Sequence, residues 1–115
     1  MNKDLENYIE NAKAQLRKGI LEFSVILSIS ESELYASDII NKLRNFDLLV
    51  VEGTLYPILS RLKEAELVSY NWVESKEGPP RKYYSLTDKG KEVLKHLTLN
   101  YNNLHKSINQ LISRS

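Results

Sequence analysis

The chain has 115 residues, 42% hydrophobic and 27% charged, with a net charge of +1, which fits one ordinary globular domain. It has no cysteine, which excludes disulfides, thiolate zinc sites and a cysteine nucleophile. Its apolar runs are far shorter than the ~20 residues of a membrane span, and its N-terminus lacks a signal-peptide pattern, so we expect a cytoplasmic protein with no membrane partner.

A long amphipathic helix is predicted at the start of the chain, over about Leu5 to Ile29. Apolar side chains recur there at three- and four-residue steps, which keeps them on one helix face. They are Leu5, Ile9, Ala12, Leu16, Ile20, Phe23 and Leu27. From Ile20 onward the helix is apolar on more sides, so we expect this half to form the buried centre of the domain.

Two shorter helices are predicted next, after a polar connector at residues 30–33. The second helix runs from Leu34 to Asn45 and turns Ile39, Ile40 and Leu43 inward. Residues 46–51 form a turn whose apolar run, 48–51, is expected to lie in the core.

The third helix covers about Glu52 to Ala65 and has one apolar and one polar face. We expect it to bury Leu55, Ile58, Leu59 and Leu62. The spacing directs three other side chains to solvent: Thr54, Tyr56 and Arg61. This amphipathic pattern predicts a helix that packs by one face and is free to bind a partner by the other.

Two alternating segments after the third helix predict a β-hairpin over residues 67–75 and 81–86. In it, Val68, Tyr70 and Trp72 share one face, and Tyr84 and Leu86 share another. The turn at 76–80 is shaped by one glycine and two prolines. Tyr83 and Tyr84 point in opposite directions, and we expect Tyr84 to be the core residue.

The last helix, opened by Thr87 as a predicted N-cap, carries a short coiled-coil seam. Its apolar side chains alternate three- and four-residue steps: Leu94, Leu97, Tyr101, Leu104, Ile108 and Leu111. This face can pack on the chain's own first helix. The alternative, which we predict, is a homodimer in which the first and last helices of both subunits interlock.

Four motifs follow one another along the chain: Leu16-Arg17-Lys18-Gly19, Leu34-Tyr35-Ala36-Ser37-Asp38-Ile39, Glu52-Gly53-Thr54-Leu55-Tyr56-Pro57 and Gly78-Pro79-Pro80-Arg81-Lys82-Tyr83-Tyr84. Together they resemble the PadR family of bacterial transcriptional regulators, over residues 16 to about 92, and the last two motifs are specific. The resemblance implies a mainly α fold with a small β-hairpin, a winged helix-turn-helix whose long N- and C-terminal helices form a dimer interface. Within a single domain, 1–115, the winged core covers about 16–86 and the dimerisation helix about 87–113.

Three positions depart from that family's pattern. Val51 stands where a small polar N-cap is common, and Ala36 where a glycine is usual. Glu66 replaces a glycine that often follows the third helix, so the sequence does not predict a left-handed C-cap there. These departures affect the expected DNA contacts more than the fold.

The implied partner is double-stranded DNA, with the third helix in the major groove and the hairpin, or wing, beside it. Tyr35 and Ser37, at the start of the second helix, are placed to meet a phosphate. Thr54 and Tyr56 are placed to touch base edges or the flanking strand. Predicted phosphate contacts complete the set: Arg61, Lys76, Arg81 and Lys82.

Each of these assignments has an alternative. Tyr56 can cover the edge of the core, and the Thr54 hydroxyl can cap its helix. Arg61 can pair with Asp38 or Glu64, and wing cations are often only solvated. A winged helix that binds protein or ligand without sequence-specific DNA recognition therefore stays open as an alternative function.

Nothing in the chain predicts catalysis, a metal site or a cofactor. His96 and His105 lack the i, i+4 spacing of a helical metal pair, and no nucleophile elbow or glycine-rich phosphate loop occurs. The function we predict is a dimeric repressor, a sequence-specific transcriptional regulator. Some members of the resembled family bind flat aromatic molecules between their paired last helices. A small aromatic effector would here use Tyr101, which can equally fill the dimer core.

Overall fold

The computed structural model describes residues 1–114, which form four helices and one antiparallel hairpin. Their bounds are α1 (Lys3–Ser28), α2 (Ala36–Arg44), α3 (Glu52–Glu64), β1 (Val68–Ser75), β2 (Gly78–Leu86) and α4 (Asp88–Ser113). The predicted mainly helical, winged helix-turn-helix fold is confirmed. Ser115, the last residue of the predicted single domain, lies outside the described residues.

The hydrophobic core lies where the second half of α1 meets α2, α3 and the hairpin. Val25, Ile39 and Leu55 are each 0% exposed, and the predicted buried face of α3 is confirmed along its length. Ile40 is only half-buried against this core. Tyr84 is buried, as its position in the alternating strand predicted.

The start of α2 differs from the prediction because residue 34 belongs to the sheet. Leu34 forms an isolated β-bridge with Tyr84, and each donates its N–H to the other's carbonyl, at 3.1 and 2.8 Å. The helix begins at Ala36 with Tyr35 as its N-cap. The prediction that it starts at Leu34 is wrong because the backbone there pairs with a hairpin 50 residues later in the chain.

The turn between α2 and α3 buries only part of its apolar run. Val50 is buried and Leu48 half-buried, whereas Leu49 and Val51 are 65% and 68% exposed. The prediction that the whole run lies in the core is wrong. Successive side chains of an extended segment point to opposite sides, so only every second one can face inward.

The helices α2 and α3 each end near a left-handed residue that is not glycine. Asp47 has φ 61° and Glu66 has φ 63°. The N–H of Leu67 donates to the Leu62 carbonyl at 2.9 Å, which is the bond of a Schellman C-cap. The left-handed cap that the sequence did not predict at Glu66 is therefore present.

The contacts that hold this cap come from the start of α4. The Thr87 hydroxyl donates to the Glu66 carbonyl at 2.7 Å, and the Thr87 N–H donates to the Leu67 carbonyl at 3.1 Å. The same hydroxyl accepts from the Gly90 N–H at 3.0 Å, so the predicted N-cap is confirmed. The end of α3 and the beginning of α4 are thereby joined directly.

The hairpin pairs Val68 with Leu86, Tyr70 with Tyr84 and Trp72 with Lys82. Directly opposed residues share a face, so the prediction that the two apolar sets lie on different faces is wrong. The turn is also tighter than predicted, because Pro79 and Pro80 belong to β2 at a register shift. Proline is tolerated there because a bulge leaves its missing N–H without a role in the ladder.

The molecule is elongated, with extents of 53 × 34 × 24 Å and a radius of gyration of 16.8 Å, against about 13 Å for a globular domain of this length. The extra length comes from the first half of α1 and the second half of α4. Residues 99–113 of α4 are all exposed, and so is nearly all of α1 before Leu21.

Candidate nucleic-acid interface

A cavity of about 480 Å³ separates the hairpin from the starts of α2 and α3, and we call it the wing groove. Its walls are aromatic and cationic. Of the predicted DNA contacts, those that line it are Tyr35, Ser37, Tyr56, Arg81 and Lys82. The fold thus brings side chains from three elements, far apart in the chain, to one concave surface.

The flank of α3 that faces the groove differs from the flank that carries Arg61. Tyr56 and Ser60 line the groove, whereas Thr54, two residues before Tyr56, points about 160° away around the helix axis. Thr54 is also the third residue of α3, whose N-cap is Val51, so the alternative in which Thr54 caps this helix is wrong.

Arg61 lies on the same flank as Thr54 and contacts α1. Its Nε lies 3.7 Å from Glu22 Oε1, and both side chains are about half exposed. The alternative in which Arg61 pairs with Asp38 or Glu64 is therefore wrong, because its partner is Glu22. An ion pair this exposed is worth little, so Arg61 can exchange the carboxylate for a phosphate at small cost.

At the start of α2, an aromatic pair holds a cation in place. The Arg81 guanidinium lies 4.6 Å from the centroid of the Tyr35 ring, and that ring meets Tyr83 edge-on at 5.1 Å. The Tyr35 N–H donates to Asp38 Oδ2 at 3.5 Å, so a carboxylate already uses part of the helix terminus. Arg81 and the exposed Ser37 hydroxyl are the groups there that can take a phosphate.

The cation on the other face of β2 is held by the hairpin itself. Lys82 Nζ lies 4.5 Å from the Tyr70 ring centroid and 5.3 Å from that of Trp72. Lys63 Nζ of α3 also lies near the Tyr70 ring, at 5.7 Å from its centroid. Lys76 sits in the exposed hairpin turn. The wing therefore presents charge on both faces and at its tip.

A tyrosine cluster closes the base of the groove. Tyr56 is 47% exposed, so it covers the edge of the core and still reaches solvent. Burial, and then the neighbouring Tyr56 and Tyr70 hydroxyls, raise the pKa of Tyr84 above its usual value. Tyr84 therefore stays neutral at physiological pH, and the charged side chains that line the groove are Glu52, Arg81 and Lys82.

Six residues that line the groove were not among the predicted DNA contacts: Ala36, Glu52, Ser60, Trp72, Pro80 and Tyr84. Ser60 lies one helical turn after Tyr56, and helical spacing was the signal that could have found it. Trp72 could have been found only through the strand register, which places it opposite Lys82. Glu52 adds a negative charge at the edge of the groove nearest the start of α3.

The predicted seam on α4 divides into two parts. Leu94 and Leu97 pack against the core of the same chain, as in the alternative in which this face covers α1. The rest of the seam is exposed: Tyr101 39%, Leu104 57%, Ile108 53% and Leu111 63%. Tyr101 lies 5.6 Å from the Phe23 ring and stacks on His105 at 5.8 Å.

Two further properties concern other kinds of site. Among residues 1–114, no group of three or more His, Asp or Glu side chains is arranged to hold a metal ion. Within the same residues, no helix has the length and apolar character needed to cross a membrane.

Comparison with known proteins identifies relatives of the whole fold. A PadR-like transcription factor from Bacteroides fragilis is 51% identical, with 88% of this chain and 98% of that chain covered and a TM-score of 0.74. A PadR family transcriptional regulator from Eggerthella lenta is 25% identical over 96% of this chain and 97% of that chain, with a TM-score of 0.87. A PadR-like transcriptional regulator from Bacillus cereus is 34% identical over 85% and 96%, with a TM-score of 0.77.

The sequence model of the transcriptional regulator PadR-like family matches residues 25–96. That stretch holds most of the core, the wing groove and the beginning of α4. This family match supports a DNA-binding regulator rather than an enzyme. The chain belongs to the PadR-like family of transcriptional regulators.

Proposed function

We propose that this protein is a cytoplasmic, homodimeric repressor that binds a double-stranded operator and leaves it when a small aromatic ligand binds. In this proposal residues 16–86 read the DNA and residues 87–113 hold the dimer together. The observation that carries it is the wing groove, a cavity of about 480 Å³ lined by Arg81 and Lys82 of the wing and by Tyr56 and Ser60 of α3.

The groove suits the edge of a duplex because its charges are placed for phosphates. A recognition helix enters the major groove with its N-terminal residues against base edges. Tyr56 would then meet the DNA on the flank of α3 that faces the wing groove, and Thr54, on the other flank, would meet base edges or the strand beside them. The wing then lies over the adjacent backbone, and Arg81 and Lys82 reach phosphates on either side of it. Phosphate contacts of this kind position the protein, and base contacts specify the sequence.

The dimer is supported by two apolar surfaces that one chain leaves exposed. On α4 they include Leu104 and Ile108, and on α1 they include Leu16, which is 74% exposed. Rows of apolar side chains on two projecting helices are what a helical dimer buries. Two joined copies also match the paired half-sites that helix-turn-helix dimers recognise.

Release by a ligand is supported by the position of Tyr101 and by the joint between α4 and α3. Tyr101 lies between Phe23 and His105, where a flat aromatic molecule could stack in place of one ring. A shift of α4 would be transmitted through Thr87 to the carbonyls of Glu66 and Leu67. The end of α3, the recognition helix, would then move with α4.

The test uses the purified full chain and the DNA upstream of its own gene. We expect a dimer by light scattering, a footprint on that DNA, and weaker binding to a scrambled duplex of equal length. Binding to both duplexes should fall with added salt as counterions return to the phosphates. Equal affinity for the two duplexes would contradict sequence-specific recognition, and no binding at low salt would contradict DNA binding altogether.

A ligand arm of the same experiment adds a phenolic acid to the preformed complex. Release from wild-type protein, but not from Tyr101→Leu, would support an effector site at Tyr101. Equal release from both proteins would place the effector elsewhere. Repression itself is measured with a reporter behind the footprinted DNA, whose expression should rise when the protein is absent.

A further inference from the structure

A single tryptophan lies in the wing groove and is not among the predicted DNA contacts. Trp72 is the only tryptophan of the chain, is 62% exposed, and lines the groove together with Tyr56 and Ser60. Tryptophan is enriched where proteins bind partners, because its large ring gives much contact area for little loss of side-chain entropy. An exposed tryptophan in the groove therefore indicates a surface that binds a partner.

The orientation of the Trp72 ring is set by its neighbours. The ring meets Tyr70 edge-on, with centroids 6.2 Å apart and planes at 89°. The ammonium of Lys82, its cross-strand partner, lies 5.3 Å from the indole centroid. These contacts hold the ring at the wall of the groove and place a positive charge beside it.

Duplex DNA offers such a ring two kinds of surface. The base faces are stacked on one another, so stacking on a base would require extruding it, at a cost of a few kcal/mol. The backbone needs no such change, because the carbon face of each deoxyribose is exposed between two phosphates. An apolar ring next to an ammonium group matches an apolar sugar next to a phosphate.

We propose that Trp72 packs on a deoxyribose of the DNA strand that lies in the wing groove, while Lys82 meets a neighbouring phosphate. The inference rests on the proposed function, since it requires the groove to hold duplex DNA. It adds to that function a sequence-independent apolar contact, made by a residue on β1 of the wing.

The apolar contact and the ionic contact can be separated by salt. A protein that loses a phosphate contact loses about 0.9 from the slope of log affinity against log salt, whereas loss of an apolar contact leaves the slope unchanged. We expect Trp72→Ala to weaken binding about fivefold to tenfold at every salt concentration. Trp72→Phe should recover part of the loss, because a smaller ring still covers the sugar.

The matched control is Asn71→Ala, whose side chain is exposed and lies on the opposite face of β1. It should bind like wild type. A Trp72→Ala protein whose slope falls by about one would overturn the proposal, because the tryptophan would then act only by positioning Lys82. Wild-type affinity for Trp72→Ala would overturn it as well.

The fluorescence of Trp72 gives an independent measurement on the unaltered protein. We expect saturating duplex to reduce quenching of its emission by acrylamide, a neutral quencher that DNA does not repel. A scrambled duplex at low salt should protect the ring too, because a sugar contact carries no sequence information. Binding is followed in parallel by the anisotropy of labelled duplex. Unchanged anisotropy would overturn the proposed function, whereas bound duplex with unchanged quenching would overturn only the role of Trp72.

Discussion

Arg81 offers the sharpest test of how the wing meets DNA. Its guanidinium rests 4.6 Å from the Tyr35 ring, beside the exposed hydroxyl of Ser37 at the start of α2. A guanidinium over an aromatic face keeps its planar set of N–H donors available, and that set matches the oxygens of a phosphate. We therefore expect Arg81→Ala to remove one phosphate contact from the complex and leave the fold intact.

The magnitude follows from counterion release. One phosphate contact contributes about 0.9 to the salt slope, so a fourfold rise in salt, from about 50 to about 200 mM, weakens it by about 3.5-fold. The affinity ratio of wild type to Arg81→Ala should shrink by that factor over the same range. Arg81→Lys keeps the charge and loses the planar stack, so its slope should stay near wild type while its affinity falls.

The assay is a salt titration of a labelled duplex by anisotropy, and its matched control is Lys13→Ala. Lys13 carries the same charge, lies on α1 and pairs with Glu10 at 3.5 Å with its side chain 63% exposed. This control removes one positive charge from the molecule without touching the groove. The reasoning fails if Arg81→Ala leaves the slope unchanged, or if Lys13→Ala lowers it equally.

Three further predictions concern recognition, assembly and stability. Tyr56→Phe and Thr54→Ala should melt like wild type and bind the operator several-fold more weakly, since a base or phosphate contact is worth about 1–3 kcal/mol; unchanged operator affinity for both would contradict their role. The double variant Leu104→Glu with Ile108→Glu should be a monomer by light scattering. Leu104 and Ile108 are exposed in the single chain, so the new carboxylates would be buried only in a dimer. An unchanged dimer would place the interface elsewhere. Glu66→Gly should raise the free energy of unfolding by about 0.5–1 kcal/mol. A left-handed residue with a Cβ costs about 1–2 kcal/mol, and the larger backbone entropy that glycine loses on folding offsets part of the gain. The control Glu64→Gly, at the last residue of α3, should lower it by up to about 1 kcal/mol, and equal losses in urea melts would show that Glu66 is not strained.

Helix positions and their buried faces could be predicted because they depend on neighbours a few residues away. The apolar spacing on α3 identified its buried side chains, and Thr87 could be recognised as a cap from its local context. The wing motif likewise marked Arg81 and Lys82 as cations that flank the hairpin turn. In each case a repeat of 3.6 or 2 residues, or a capping group within one turn, carries the information.

Interactions between distant segments could not be read from local patterns. Leu34 reads as the start of a helix, yet its N–H and carbonyl pair with Tyr84. Arg61 has acidic neighbours on its own helix and pairs with Glu22 of α1. Trp72 reads as one more residue of an alternating strand, and only its pairing with Lys82 reveals it as a wall of the groove.

The sequence by itself determined the family, the order of the elements and the residues able to bury or bind, because motif and periodicity are local properties of the chain. Only the tertiary structure decided which of those residues meet. It placed Tyr35, Tyr56 and Arg81 around one cavity, turned Thr54 to the other flank of α3, and left four of the six residues of the α4 seam exposed. The physical reason is that these outcomes depend on strand register, helix rotation and the pairing of backbone groups far apart in the chain. None of these produces a periodic pattern in the sequence.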